Sequence, residues 1–243
     1  MSPIDLSTTP LPSDTVGLLE GLTTTRAIRR YRQEPVPEEA LRAIVFAATR
    51  APSGSNRQPF RFIVLSDGPI AAAAKALVAS SAQQMWAEKR RRDGYDGGSG
   101  TVANSPKSRM AASMEHYVAE LARVPVLILP CLERPRALGP TDGASIYPAC
   151  QNLLLAARAL GYGGVFTSWQ SGVEDQLRPL LAIPDSVAIM GAITLGRPEG
   201  RHGPVRRRPL AELVSGEVWG QAPPWAIDPP GTTYTSAGPP SQG

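Results

Sequence analysis

The chain is poor in several residue types, and each shortage removes a class of protein. Two cysteines, Cys131 and Cys150, among 243 residues are too few for a disulfide framework or a four-cysteine zinc site. Two histidines, His116 and His202, leave little room for a multi-histidine metal centre. Aromatic residues make up only 6%, so basic residues are not interleaved with stacking rings and a nucleic-acid partner is not expected. No run approaches the roughly 18 apolar residues of a membrane span, and Met1 to Asp5 lacks a basic, then apolar, leader. The expectation is a cytoplasmic protein with no membrane partner.

Other features are plentiful. Apolar residues reach 42% and charged ones 19%, as in ordinary globular chains. Of the 25 basic residues only Lys75, Lys89 and Lys107 are lysines; the remainder are arginines, and net charge is +4. Abundant Ala, Arg, Gly and Pro together read as the imprint of a GC-rich genome. The bulk arginine count therefore needs no ligand to explain it, but particular clusters do.

Helix and strand signals alternate. Residues 16–32 read as a helix, which would place Arg26, Arg29 and Arg30 on one face. Leu41, Ile44, Val45 and Ala48 have the spacing of a buried helical stripe behind Pro37. Phe60 to Leu65 reads as a strand, and an alanine-rich helix runs from about Pro69 into Lys89-Arg90-Arg91-Arg92. Residues 93–106, with four glycines, read as a mobile insert. A helix near 108–122 leads to an apolar strand, Val126 to Leu129, bounded by Pro125 and Pro130. The helix near 145–160 is apolar nearly all round, so burial on every side, partly against a second subunit, is expected. A strand near Val165, a helix from about Val173 to Leu181 and a strand from Val187 to Leu195 follow. The Pro-rich tail cannot form a core, although Trp219 and Trp225 imply that its first half packs on something. The implied organisation is an N-terminal arm (1–15), one α/β or α+β domain (16–215) and a C-terminal tail (216–243).

Four segments could carry chemistry. Thr25 to Tyr31 clusters Arg26, Arg29 and Arg30, which suits a phosphate, although a solvated basic face is the commoner explanation. Pro52 to Phe60 is a turn offering the Ser53 hydroxyl and the Asn56 and Gln58 carboxamides, with Gln58 expected to be extended before Pro59. Such carboxamides match a ring edge of alternating C=O and N–H. In Leu160 to Trp169 glycines follow a helix and open a strand, so this is not a dinucleotide-binding loop. Gly161 is expected in a left-handed helix cap. Leu195 to Pro198 precedes the run Arg206-Arg207-Arg208.

In order and spacing these segments resemble the nitroreductase family over roughly residues 18–215. The arginine motif is matched by Arg26, Ile28, Arg29 and Tyr31. The Ala-Pro-Ser-x-x-Asn-x-Gln-Pro motif is matched by Ala51, Pro52, Ser53, Asn56, Gln58 and Pro59. The glycine element matches Ala157 to Gly163, and the last motif matches Leu195 to Pro198 and Arg207 to Leu210. Departures are Thr25 and Ala27, where many members carry Arg and Ser, and Tyr162 and Arg197. The composition and insert look like those of an actinobacterial member.

The resemblance implies an α+β fold, an α/β/α sandwich with a mixed central sheet in an interlocked homodimer. It implies FMN as cofactor, NADPH (or NADH) as donor, and a nitroaromatic or quinone acceptor reduced by two-electron ping-pong transfer. The implied cofactor-binding residues are Arg26, Ala27, Arg29, Pro52, Ser53, Asn56, Gln58, Gly164, Thr167, Ser168 and Arg207. Of these, Ser53 and Asn56 would come from the partner subunit, and backbone N–H groups near Thr167 and Ser168 would meet the flavin N5. No side chain need act as a catalytic acid, base or nucleophile, because the cofactor carries the chemistry. Arg90, Arg91 and Arg92 are candidates for the 2′-phosphate of NADPH. Alternatives with the same motifs are reductive dehalogenation, destruction of the flavin, and a flavin-binding module without catalysis.

Overall fold

The computed structural model describes residues 9–133 and 137–235. The start of the N-terminal arm (1–8) and the end of the tail (236–243), with Pro239 and Pro240, lie outside the described residues.

A five-stranded sheet forms the centre: β1 (Phe60–Leu65), β2 (Val126–Glu133), β3 (Gly163–Thr167), β4 (Val187–Ile189) and β5 (Ala192–Gly196). The order is β1-β2-β5-β3, with β4 also on β2. Helices α1 (Leu18–Thr24), α2 (Glu38–Ala48), α3 (Pro69–Arg92), α4 (Pro106–Glu120), α5 (Tyr147–Ala159) and α6 (Glu174–Leu180) cover it. Alternation along β2 sorts them into layers. Leu127, Leu129 and Cys131 face a core built with α3, α4 and α6. Val126, Ile128 and Leu132 face a second core built with α2 and α5. Successive strand side chains point to opposite faces, so a single apolar strand serves both layers. The result is the expected α+β sandwich.

Every pairing between the named strands is antiparallel, where a mixed sheet was expected. Connection length explains the difference. Two helices, α3 and α4, return the chain antiparallel from β1 to β2. The single helix α5 carries it from β2 to a parallel β3, but β5 lies between them.

Strand β2 does not stop at Pro130, as the sequence predicted, but continues to Glu133. The Pro130 carbonyl accepts the Met190 N–H at 2.8 Å, so its missing donor faces the break between β4 and β5. There the pairing shifts by one residue, from Cys131 opposite Ile189 to Ile128 opposite Ile193. Such a bulge is where a central strand can accept a proline.

The first predicted helix is cut short. It ends at Thr24, and residues 25–32 run extended beside the sheet. Thr23, Thr24 and Thr25 are stiff β-branched residues, and the sheet offers better partners than another helical turn. The Ile28 N–H reaches the Gly164 carbonyl at 3.0 Å and the Arg32 N–H reaches the Arg197 carbonyl at 2.9 Å. Arg26, Arg29 and Arg30 therefore gather along an extended edge rather than on a helical face.

Helix α5 buries Ala149, Cys150, Leu153 and Ala157, but Leu154 and Leu155 on its other faces are only half-buried. Within one chain it is not enclosed on every side. Trp219 is 95% exposed and Trp225 68%, so among the described residues neither ring is covered, although Ala226 beside Trp225 is buried. Insert residues 93–106 fold back instead of standing free: Tyr95 packs on Trp86 with ring centroids 5.2 Å apart, and Lys107 lies over the Tyr95 ring.

The two cysteines are buried and free, and burial pushes their thiols up to about 11 and about 12. Burial likewise pushes the Tyr117 hydroxyl up to about 12 and raises that of Tyr31 well above its usual range. Acids whose pKa is raised on folding stabilise the native state below their unfolded values and lose that contribution as pH rises through the folded ones. Stability should therefore decline from about pH 9 to about pH 12. Urea midpoints measured across that window test this; Tyr117→Phe should flatten part of the decline, and a level profile would contradict it.

Candidate active site

Six arginines meet at one cleft. Arg26, Arg29, Arg30, Arg109, Arg201 and Arg206 line a cavity of about 580 Å³, together with Ala27, Ile28, Pro106, Met110, Ser113 and Gly200. Among the described residues none of the six takes part in an ion pair. Arg29 Nε is buried with no hydrogen-bond partner among the described residues. An unpaired buried donor on a charged group costs free energy, on the order of 1–3 kcal/mol, unless a ligand supplies the acceptor. The cleft has the character of a phosphate site.

A buried hydroxyl network holds the arginine edge in place. Tyr31 Oη donates to the Ile28 carbonyl at 2.5 Å and lies 2.8 Å from Thr194 Oγ1, which is 2.9 Å from Tyr117 Oη. Tyr31 follows Arg30 directly, Thr194 sits on β5 and Tyr117 on α4. Sheet and helix thus converge on the residues flanking Arg29. His202 also braces this edge: its Nε2 lies 3.0 Å from the Tyr162 carbonyl, and burial holds its pKa below the usual value.

The glycines of β3 serve packing first. A side chain at Gly163 would collide with Ile28, and one at Gly164 with the Thr194 carbonyl and Leu154. Gly161 has φ +80°, the left-handed cap expected for it. At the far end of β3, Thr167 donates from Oγ1 to the Ala192 carbonyl at 3.0 Å, and Ser168 follows at the strand's exit. Strand β3 therefore leads from the arginine cleft towards Thr167 and Ser168, a length of roughly 13 Å.

Residues 52–58 form one exposed turn. Ser55, Asn56 and Gln58 all have φ near +50°, so Gln58 is not extended as predicted. The turn's own hydrogen bonds impose this: Ser53 Oγ accepts the Gln58 N–H at 2.9 Å, and Gln58 Nε2 donates to Asn56 Oδ1 at 3.1 Å. Three non-glycine residues in that region are a concentration of strain typical of sites that meet a ligand. The turn borders a separate cleft of about 440 Å³, with Arg57 and Ser145 in its lining.

Within one chain the two halves stay apart. The arginine edge lies where β2 begins, and the turn lies where β2 ends beside the opposite edge strand. Eight residues of β2 span roughly 23 Å. Arg26, Ala27 and Arg29 come together; Pro52, Ser53, Asn56 and Gln58 come together elsewhere.

Arg207 does not line the arginine cleft; Arg206 does. The Arg207 guanidinium donates to the Arg206 carbonyl, and its backbone pairs with Tyr234. Two cleft residues escape the sequence motifs altogether, Arg109 and Arg201. The available signal for Arg109 was local: a helix opened by Ser105 and Pro106 with no acid in its first turn carries a cation there. Arg90 is held by Asp96 and Glu115, Lys89 by Asp93, and Arg92 by Asp93. These charges at the end of α3 are matched locally, while Arg91 has no ion pair among the described residues and does not line the arginine cleft.

The likeness to known proteins follows the same elements. A family model described as the nitroreductase family matches residues 22–197. A protein from Thermus thermophilus named NADH dehydrogenase is 29% identical over 208 residues, covering 78% of this chain and 90% of its own. A 5,6-dimethylbenzimidazole synthase from Rhodospirillum rubrum is 26% identical over 198 residues, covering 77% and 82%. Among solved structures, a protein from Desulfovibrio desulfuricans, named as a nitroreductase and solved with FMN, is 30% identical at a TM-score of 0.59 over 83% of this chain and 96% of that one. The fold is shared with the FMN- and NADPH-dependent nitroreductase NfnB from a Sphingopyxis strain, TM-score 0.64 at 20% identity over 83% and 99%. From Leu22 on α1 to Arg197 beyond β5, the family pattern takes in the arginine edge, the strained turn and β3, and the chain belongs to the nitroreductase family.

Proposed function

We propose that this protein is an FMN-dependent NAD(P)H oxidoreductase that reduces small nitroaromatic or quinone-like acceptors, with donor and acceptor using one site in turn. The observation that carries the reading is the arginine cleft with its unpaired, buried Arg29 Nε. Arg26 and Arg29 hold the FMN phosphate, joined by Arg206 in the place the sequence predicted for Arg207. The ligand extends along β3, past Gly164, towards Thr167 and Ser168. Bound FMN supplies hydride chemistry at its N5. The chain's own residues bind and orient it; no side chain here needs to move a proton.

The strained turn completes the site from a second copy of the chain. Pro52, Ser53, Asn56 and Gln58 cannot reach the cleft of their own chain across the length of β2. The exposed Leu18 and Leu19 of α1 and the exposed Trp219 and Trp225 of the tail are apolar surface of the kind that obligate interfaces cover.

A visible absorbance spectrum tests the reading most directly. The purified protein should be yellow, bleach when NADPH is added without air, and regain its colour on addition of a quinone. Absence of bound flavin would refute it. Colour that bleaches and does not return would favour consumption of the flavin, the chemistry suggested by the benzimidazole synthase relative.

A further inference from the structure

The cleft carries more positive charge than one phosphate can use. A phosphate monoester bears roughly −1.5 to −2 charges, which Arg26, Arg29 and Arg206 already match. Arg30, Arg109 and Arg201 remain on the same cleft, and among the described residues none is neutralised by a carboxylate. The neighbouring cleft, which Arg29 and Arg30 also line, holds Glu120 and Glu199, and Glu120 is paired with Arg123.

Arg109 is the most informative of the three. It stands near the start of the 15-residue helix α4, where the helix dipole already presents positive charge and disfavours a cation. Among the described residues its guanidinium donates only to the Asn104 carbonyl. Arg201 faces the same space from the loop after β5. Both side chains are exposed, so their charges are available to a ligand arriving from solvent. Charge repulsion between neighbouring guanidiniums is relieved only when an anion enters.

We infer that Arg109 and Arg201 bind the 2′-phosphate of NADPH and make the donor site selective for NADPH over NADH. This rests on the FMN reading above, because the first phosphate of the cleft is taken to be that of FMN. The two dinucleotides differ only by that phosphate, so a preference requires cations that nothing else neutralises. Arg90 and Arg92 at the end of α3 fail that requirement through their pairing with Asp96, Glu115 and Asp93, and Arg91, which has no ion pair among the described residues, does not line the cleft. Arg109 and Arg201 meet it.

The test is calorimetric titration of the FMN-loaded protein with NADP⁺ and with NAD⁺, with flavin content read by absorbance in the same samples. The wild type should bind NADP⁺ the more tightly. Arg109→Ala and Arg201→Ala should each weaken NADP⁺ by about tenfold and leave NAD⁺ and the flavin content unchanged. Arg109→Lys should keep most of the preference, because the charge remains. Equal binding of the two dinucleotides by the wild type overturns the proposal, as does NADP⁺ affinity that survives both alanine variants. If either variant loses its flavin, that arginine belongs to the FMN phosphate, and the proposal falls while the FMN reading stands. If the wild type holds no flavin, the FMN reading falls, and the NADP⁺ to NAD⁺ ratio still decides this one.

Discussion

Replacing both Arg26 and Arg29 with alanine is expected to weaken FMN binding by about a hundredfold or more. Each guanidinium would give the phosphate a charge-assisted hydrogen bond, worth roughly 1.5–3 kcal/mol, and every 1.4 kcal/mol is about tenfold in affinity. Arg29 should account for the larger share. Its Nε is already desolvated, so the folded chain bears the cost of burial whether or not the ligand is present. Arg26 is the more exposed of the two and gives up more hydration to bind. Ultrafiltration of the purified variants, with flavin measured in retentate and filtrate, supplies the affinities. Arg206→Ala should cost about tenfold, whereas Arg207→Ala should cost little, since Arg207 turns towards the Arg206 carbonyl and away from the cleft. Flavin retained by the double variant at wild-type affinity would remove this edge from the cofactor site. The reverse order of Arg206 and Arg207 would restore the assignment that the sequence motif suggested.

The second large effect is complementation between damaged chains. A chain carrying Arg26→Ala and Arg29→Ala lacks the phosphate half of the site. A chain carrying Ser53→Trp blocks the turn half, and position 53 has ordinary extended backbone that accepts a bulky residue. If each site draws one half from each chain, either variant alone should hold less than about a tenth of the wild-type flavin. In a mixed dimer one site receives both lesions and the other neither. About half the wild-type flavin should return, a recovery two independent sites within single chains could not produce. Differently tagged chains, co-expressed and purified through both tags, provide the measurement. A mixed dimer without flavin would contradict the shared site, and so would a monomer in light scattering that keeps its flavin. The distance argument makes the expectation firm, because the roughly 23 Å of β2 separates the halves within a chain.

The local chemistry of the chain was enough to reveal most of the elements. β1 and α3 begin and end where turn residues and apolar spacing place them. The Gly161 cap follows from its neighbours alone, because only a residue without a Cβ takes φ +80° cheaply. The clustering of Arg26, Arg29 and Arg30, and the hydroxyl and carboxamides of residues 53–58, were visible as chemistry without a place.

Their placement required the tertiary structure. Thr25 to Arg32 had the composition of a helix end, but Gly164 and Arg197 offered backbone partners that only the folded sheet brings alongside. Pro130 looked like a strand terminator until the bulge beside β4 showed that its missing N–H has nothing to donate to. Gln58 was expected to be extended before proline, and the Ser53 hydroxyl overrode that preference with a hydrogen bond five residues away. Arg109 and Arg201 join Arg26 only in space, since 83 and 175 residues separate them from it along the chain. Sequence alone determined which residue types could bind an anion and which stretches would bury. Long-range contacts decided which charges share one cleft and which are matched by neighbours, because electrostatic energy depends on distance in the folded chain and not on position along it.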